Sequence, residues 1–165
     1  MVEKPLINKG LHSFNNSYSF IMSKIKFGSQ VYTWFMQGTG KGYDNKLDHM
    51  IKVASQAGFT GIEPMVLEIS ESALGCGKYW LGDFCDPLKL KDVLAEHNMN
   101  LCGLALVCAW DGETEAPNER AAADFTIDFL KHFPGAMLGT VTLPSGRTND
   151  LHRRRLNVAR NVNAV

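Results

Sequence analysis

The chain has 165 residues, with 17 basic and 17 acidic side chains, so its formal net charge is zero. This length predicts a single domain with a sizeable core. The balanced charge gives no electrostatic reason to expect a nucleic acid or an anionic membrane as a partner, and no apolar run approaches the length of a membrane span.

The amino-terminal residues contain Ser, Asn and Lys where a secretory signal would be apolar, and they show no helical or strand periodicity. We therefore predict a disordered or wrongly assigned extension over residues 1–24, with Met22 as the native start, and one folded unit over residues 25–165. The four cysteines show neither C-x-x-C spacing nor a nearby pair of histidines. Cys102 and Cys108 lie in an apolar stretch and are predicted to be buried thiols in a reducing compartment, so the cytoplasm is the expected location.

The first βα unit is predicted over residues 26–54. Residues 26–36 are rich in β-favouring side chains and predict a strand. A glycine-rich loop at 38–42 follows, and Asp44 is the predicted cap of a helix with apolar residues at helical spacing. The loop lacks the Ser or Thr that follows Gly-Lys in a P-loop, and its third glycine is misplaced for a dinucleotide fingerprint, so we interpret it as a flexible connection.

Residues 57–64 end this helix and form a second short strand. Gly58 suits the left-handed position that follows a helix, and Pro64 is expected to stop the strand. Glu63 then lies at the carboxyl end of a parallel strand, where βα proteins present functional groups. Its carboxylate could bind a polyhydroxylated ligand or act in proton transfer. The alternatives are a helix-dipole partner or a surface ion pair.

The rest of the chain continues the alternation. A long loop is predicted over residues 65–84. Asp86-Pro87 is typical of a helix start, and Asn98 is the predicted C-cap of that helix. A continuous apolar run at 101–107 predicts a strand covered on both faces. A helix over 118–133, a strand over 137–143 and a helix from Asp150 that is still running at Val165 follow. The order βαβαβαβα predicts an α/β fold with parallel strands, and because it stops inside an element we expect an incomplete barrel in preference to a doubly wound sheet.

Two charged segments have simpler interpretations. Asp111, Glu113 and Glu115 alternate after the third strand, but the glycine and chelating carboxylate of a calcium loop are missing, so a solvated acidic loop is favoured over a cation site. Three consecutive arginines at 153–155 point in different directions on a helix and predict solvated surface.

Candidate binding residues lie at the predicted carboxyl ends of the strands. They are Tyr32 and Trp34 towards the end of the first strand, Glu63 and Trp110 at the ends of the second and third, and Arg147 in the turn after the fourth. Aromatic faces beside a carboxylate suit the C–H face and hydroxyls of a sugar. The alternative is that the aromatic side chains pack in the interior.

These residues resemble the amino-terminal half of the xylose isomerase-like barrel superfamily, the sugar-phosphate isomerase and epimerase group. The resemblance rests on residues 27–34 (FGSQVYTW), 47–50 (LDHM), 57–64 (AGFTGIEP), 123–124, 129–130 and 143–147 (LPSGR). It runs from about residue 26 to the end and covers about four of the eight βα units of such a barrel.

The resemblance implies a metal-dependent sugar or sugar-phosphate isomerase or epimerase that moves a proton beside a carbonyl. The divalent metal, Mn, Mg, Co or Zn, and the two acids of the family come mostly from later strands, so no residue here is assigned as catalytic or as a metal ligand. This chain alone is expected to be inactive and to bind no metal. The alternative is a non-catalytic half-barrel that binds a small polyol or self-associates through open sheet edges.

Overall fold

A computed structural model describes residues 26–32, 34, 41, 44, 46–67 and 78–165. The predicted extension over residues 1–24, Cys76 and all of the glycine-rich loop except Lys41 lie outside the described residues. The described elements are β1 (Gly28–Gln30), α1 (Leu47–Gln56), β2 (Gly61–Glu63), β3 (Met65–Leu67), two 3₁₀ turns (Lys78–Trp80 and Gly82–Cys85), α2 (Pro87–Glu96), β4 (Asn100–Leu101), β5 (Gly103–Cys108), α3 (Pro117–Leu130), β6 (Met137–Thr142) and α4 (Leu151–Asn163).

The fold is α/β, and all its described strand pairs are parallel. One sheet has the order β1-β2-β4 and the other has the order β3-β5-β6. Two chain segments contribute a strand to each sheet: residues 61–67 contain β2 and β3, and residues 100–108 contain β4 and β5. Backbone bonds connect these segments where the strands break, from the Cys102 amide to the Ile62 carbonyl (2.9 Å) and from the Ala105 amide to the Pro64 carbonyl (3.0 Å). Each segment therefore lies beside the next one along the chain.

β2 ends at Glu63, immediately before Pro64, as the sequence predicted. The chain resumes as β3 at Met65, so the predicted loop over 65–84 also begins with a strand. Proline has no amide hydrogen to donate to the neighbouring segment. The Cys102 carbonyl instead accepts a hydrogen bond from the Met137 amide at 3.0 Å. The break between the two sheets therefore lies at this proline.

Three other predicted boundaries were wrong. β1 covers only Gly28–Gln30, because Val31 begins a turn closed by a 2.9 Å bond from the Trp34 amide to the Val31 carbonyl. Asp44 is not a helix cap, since α1 starts at Leu47 and the Asp44 carboxylate accepts from the Lys46 amide. α4 ends at Asn163, before Val165, with the Ala164 amide bonded back into the last turn.

The predicted helix ends are otherwise close to those observed. Gly58 follows α1 with a φ of 87°, and the Phe59 and Gly58 amides bond the Ala54 and Ser55 carbonyls in a Schellman motif. Asn98, the predicted C-cap, takes the same left-handed position after α2, one residue beyond the observed cap His97. Asp86 caps the start of α2, where its carboxylate accepts from the Leu88 amide at 2.9 Å.

The core lies between the sheets and the helices. β5 is buried at every residue, as the apolar run at 101–107 predicted. α1 packs against β2, and α3 packs against β5 and β6. The aromatic face of α3 packs inward, since Phe129 is 3% exposed and its ring lies between those of Phe125 and Phe133. No helix in the described ranges has the length and apolar character needed to span a membrane.

We predict that Gly61→Ala destabilises the sheet because the added methyl group clashes with the Cys102 side chain. A Cβ at Gly61 would lie 2.2 Å from the Cys102 sulfur, which occupies the space above this glycine. Such overpacking costs about 1–3 kcal/mol of unfolding free energy. Adding Cys102→Ala should recover most of that loss, measured by urea denaturation, with Cys102→Ala alone as the control. An unrelieved loss in the double variant would show that the strain lies in the backbone.

Candidate functional site

A recess lies at the carboxyl ends of three neighbouring strands. It encloses about 440 Å³ and is lined by residues from β3, the β5–α3 connection, the start of α3 and the turn after β6. Its lining residues are Leu67, Val107, Cys108, Ala109, Ala116, Asn118, Glu119, Leu143, Pro144, Ser145 and Arg147. This size and mixture of apolar walls with a few polar groups are typical of small-molecule sites.

The β5–α3 connection leaves the strand through a strained residue. Trp110 has a φ of 57°, which is unfavourable for a bulky side chain. Its side chain is 1% exposed, and its indole nitrogen is buried without a hydrogen-bond partner among the described residues. Strain of this kind concentrates at functional sites and is held in place by the surrounding structure. Here it directs Asp111 back into the protein.

Glu119 anchors the same connection from α3. Its carboxylate accepts hydrogen bonds from the Ala116 amide at 2.7 Å, as an N3 glutamate does at a helix start, and from the Trp110 amide at 2.8 Å. The side chain is buried, and it also accepts from Nη2 of Arg147. A single acid therefore fixes the helix start, the strained residue and the arginine.

Asp111 is fully buried and binds the turn that follows β6. Its carboxylate accepts from the Ser145 amide at 3.0 Å, from the Ser145 hydroxyl at 2.5 Å and from Nε of Arg147 at 3.1 Å. Ser145 Oγ in turn accepts from Nε and from the backbone amide of Arg147. The loops after β5 and β6 are thus joined by a buried ionic network, which we call the Asp111–Arg147–Glu119 cluster.

The cluster keeps both acids ionised. Burial alone would raise the pKa of Asp111, but the hydrogen bonds from Ser145 and the Arg147 guanidinium outweigh it and lower that pKa. The pKa of Glu119 is lowered in the same way, against burial, by the Ala116 and Trp110 amides and by Arg147. Burial opposes the charge of Arg147, while its bonds to the two carboxylates raise its pKa.

Two asparagines of α4 donate hydrogen bonds to the backbone of residues 110–112, next to the cluster. Asn157 donates to the Asp111 carbonyl at 3.0 Å, and Asn161 donates to the carbonyls of Trp110 (2.8 Å) and Gly112 (3.0 Å). Both asparagines are buried. Because buried carbonyls are costly when unpaired, these amides fix the strained connection in place.

The lowered pKa values predict a loss of stability in acid. The pKa values of Asp111 and Glu119 are lower in the folded state than the roughly 3.9 and 4.3 of an unfolded chain. The stabilisation that these two ionised carboxylates give the folded state is therefore complete above their unfolded-state pKa values. It is lost as the pH falls through their folded-state pKa values. We expect the free energy of unfolding, measured in urea, to fall steeply below about pH 4. A constant value down to pH 3 would contradict this.

The sequence-predicted residues are placed as follows. Arg147 lines the recess, as its position after the fourth strand suggested. Trp110 packs in the core and is not among the lining residues. Trp34 is partly buried against the core, and Tyr32 is 40% exposed. Glu63 is half-buried on the sheet face opposite Ile62, where a Cβ on Gly139 would meet its carboxylate at 3.3 Å.

Sequence reasoning missed most of the cluster. The prediction that Asp111 belongs to a solvated loop was wrong, because the carboxylate is paired with Ser145 and Arg147 and has no exposed surface. Glu113 does face solvent, with its side chain 80% exposed. Glu119 carried a usable signal, since an acid three residues after a helix N-cap is a capping pattern.

The donor atoms of the recess do not fit a divalent metal ion. Glu119 in the lining and Asp111 beside the recess are already bonded to a guanidinium, which a cation would have to displace. Nor do the described ranges contain a group of three or more His, Cys, Asp or Glu side chains that could hold a metal. The metal implied by the family resemblance therefore has no ligand set in this part of the chain.

Comparison with known proteins does not assign the chain to a class or to a particular protein. No family model, no curated protein and no solved structure matches it. The functional argument therefore depends on the geometry of the recess and on its residues.

Proposed function

We propose that the chain forms part of a xylose isomerase-like barrel and that the recess binds a small sugar or polyol. The observation that carries the proposal is the position of the recess, at the carboxyl ends of parallel strands that neighbour one another in chain order. Its apolar wall includes Leu67, Val107 and Leu143, while Asn118 and Arg147 supply polar atoms. An apolar wall with a few hydrogen-bonding groups suits the two sides of a sugar ring.

The proposal assigns binding, and no catalytic step, to the described residues. Metal-dependent isomerisation or epimerisation is proposed only for a barrel that also contains metal ligands and an acid–base pair. Here the two best-placed acids, Asp111 and Glu119, are occupied by Arg147. A cytoplasmic location belongs to the same proposal, supported by the spacing of the cysteines.

Calorimetric titration with uncharged ketoses and polyols tests the binding. We expect weak saturable binding that Asn118→Ala reduces about two- to tenfold, the effect of one hydrogen bond. Asn118 is exposed at the start of α3 and lines the recess. Asn149→Ala is the matched control, because Asn149 is exposed and lines a different recess. Binding of no compound, or equal effects of the two variants, would refute the assignment.

A second candidate function, self-assembly, is favoured by β6. In the described sheet β6 pairs only with β5, and five of its six residues are exposed. Its exposed side chains include Met137, Leu138 and Val141. An unprotected apolar edge strand recruits another strand.

A further inference from the structure

We infer that the recess discriminates by charge, taking an uncharged polyhydroxylated ligand and rejecting its phosphate ester. The inference rests on the proposed function and narrows it from sugars or sugar phosphates to one ligand class. Its residues are the members of the Asp111–Arg147–Glu119 cluster, which supply the charge beside the recess.

The first step concerns the arginine, the natural candidate for binding a phosphate. A guanidinium binds phosphate by donating two parallel N–H hydrogen bonds. In Arg147, Nε already donates to Asp111 and Ser145, and Nη2 donates to Glu119. The remaining Nη1 lies against Gly112, where a Cβ would meet it at 3.1 Å. The Nε–Nη2 edge of the guanidinium is therefore engaged within the cluster and is not offered to an oxyanion.

The second step concerns the backbone of the turn after β6. Successive amides in such a turn can form an anion-binding nest. Here the Ser145 amide donates to the Asp111 carboxylate at 3.0 Å, and the Arg147 amide donates to Ser145 Oγ at 3.2 Å. These two amides are consumed within the cluster, so the turn offers neither of them to a phosphate.

The third step is the sum of charges. Arg147 contributes one positive charge and the two acids contribute two negative ones, which leaves a net charge of −1 beside the recess. Both acids are almost fully buried, so water screens them poorly. In the adjoining recess, which shares Arg147, the acids Glu113 and Glu115 are paired with Arg153 and Arg120, so the unbalanced negative charge beside the recess is that of the cluster. A phosphate dianion is repelled from this region, whereas a neutral polyol needs only hydrogen bonds.

Titration of fructose and of fructose 6-phosphate into the same protein sample tests the inference. We expect fructose to bind at least about tenfold more tightly at low ionic strength, and the ratio to shrink as salt screens the repulsion. Equal or tighter binding of the phosphate would overturn charge discrimination and leave the proposed function standing. If neither compound binds, the proposed function and the inference both fail.

A charge-neutralising variant tests the assigned residues. Glu119→Gln should lower the preference for fructose about threefold or more, because it removes one buried negative charge. Asp128→Asn is the matched control, since it removes the same charge from α3 at a side chain that is 73% exposed. Equal shifts in the two variants would overturn the assignment to the cluster. If Glu119→Gln does not fold, the wild-type ratio and its salt dependence decide the question.

Discussion

Replacing Arg147 with methionine is expected to lower the free energy of unfolding by about 2–4 kcal/mol. Removing one partner of a buried ion pair costs about 3–5 kcal/mol, and we expect somewhat less because the Arg147 side chain is 34% exposed. The loss has a specific origin. Asp111 and Glu119 would remain buried as two carboxylates without their shared cation. Urea denaturation at pH 7 measures the effect.

Arg153→Met provides the control for this variant. Arg153 has the same charge, but its side chain is 67% exposed and lies 3.8 Å from an exposed Glu113. Exposed pairs of this kind contribute about 0–1 kcal/mol. Equal losses in the two variants would mean that the cluster stabilises the fold no more than a surface ion pair does.

The local patterns in the sequence predicted the helices and the central strand well. Gly58 and Asn98 adopt the left-handed backbone that ends a helix, and Asp86 caps the start of one. These features depend on residues within a single turn, so a short window contains the information. The strand that resumes after Pro64 was not predictable in this way, because β3 forms by pairing with β5, which lies much further along the chain.

The predicted length of the first strand was wrong for a related reason. Residues 31–35 are rich in β-favouring side chains, but β-propensity reflects packing on a sheet more than an intrinsic backbone preference. Val31 still donates to the Glu63 carbonyl at 3.2 Å, and the chain then turns so that Trp34 packs against the core. Tertiary contacts therefore override the local pattern after Val31.

Of the five predicted binding residues, Arg147 alone lines the recess, and its partners were not predictable. Arg147 follows a strand, which placed it at the carboxyl edge of the sheet. Its acid Asp111 lies 36 residues earlier, in a stretch that resembles a solvated acidic loop. Asn157 and Asn161, four residues apart on a polar helix, also resemble a solvent-facing surface. Their burial follows from the carbonyls they pair with, which only the folded chain brings near.

The second proposal predicts that the purified chain self-associates at micromolar concentration. β6 leaves one side of its backbone without a strand partner in the described sheet, and the exposed fraction of Met137 is 71%. A second copy can cover this edge by adding a strand of its own, since such edges pair with other strands and contiguous apolar surface favours burial. Light scattering over a range of concentrations measures the apparent mass, which should rise with concentration.

A charged edge should prevent this association. Val141 is 37% exposed near the carboxyl end of β6, and its replacement by lysine places a charge where a second copy would bury it. We expect Val141→Lys to shift the protein toward the monomer, because a lysine on an edge strand opposes pairing. Leu88→Lys is the control, since Leu88 is 62% exposed on α2, outside both sheets. A wild-type chain that stays monomeric at every concentration and unfolds cooperatively would exclude assembly through β6.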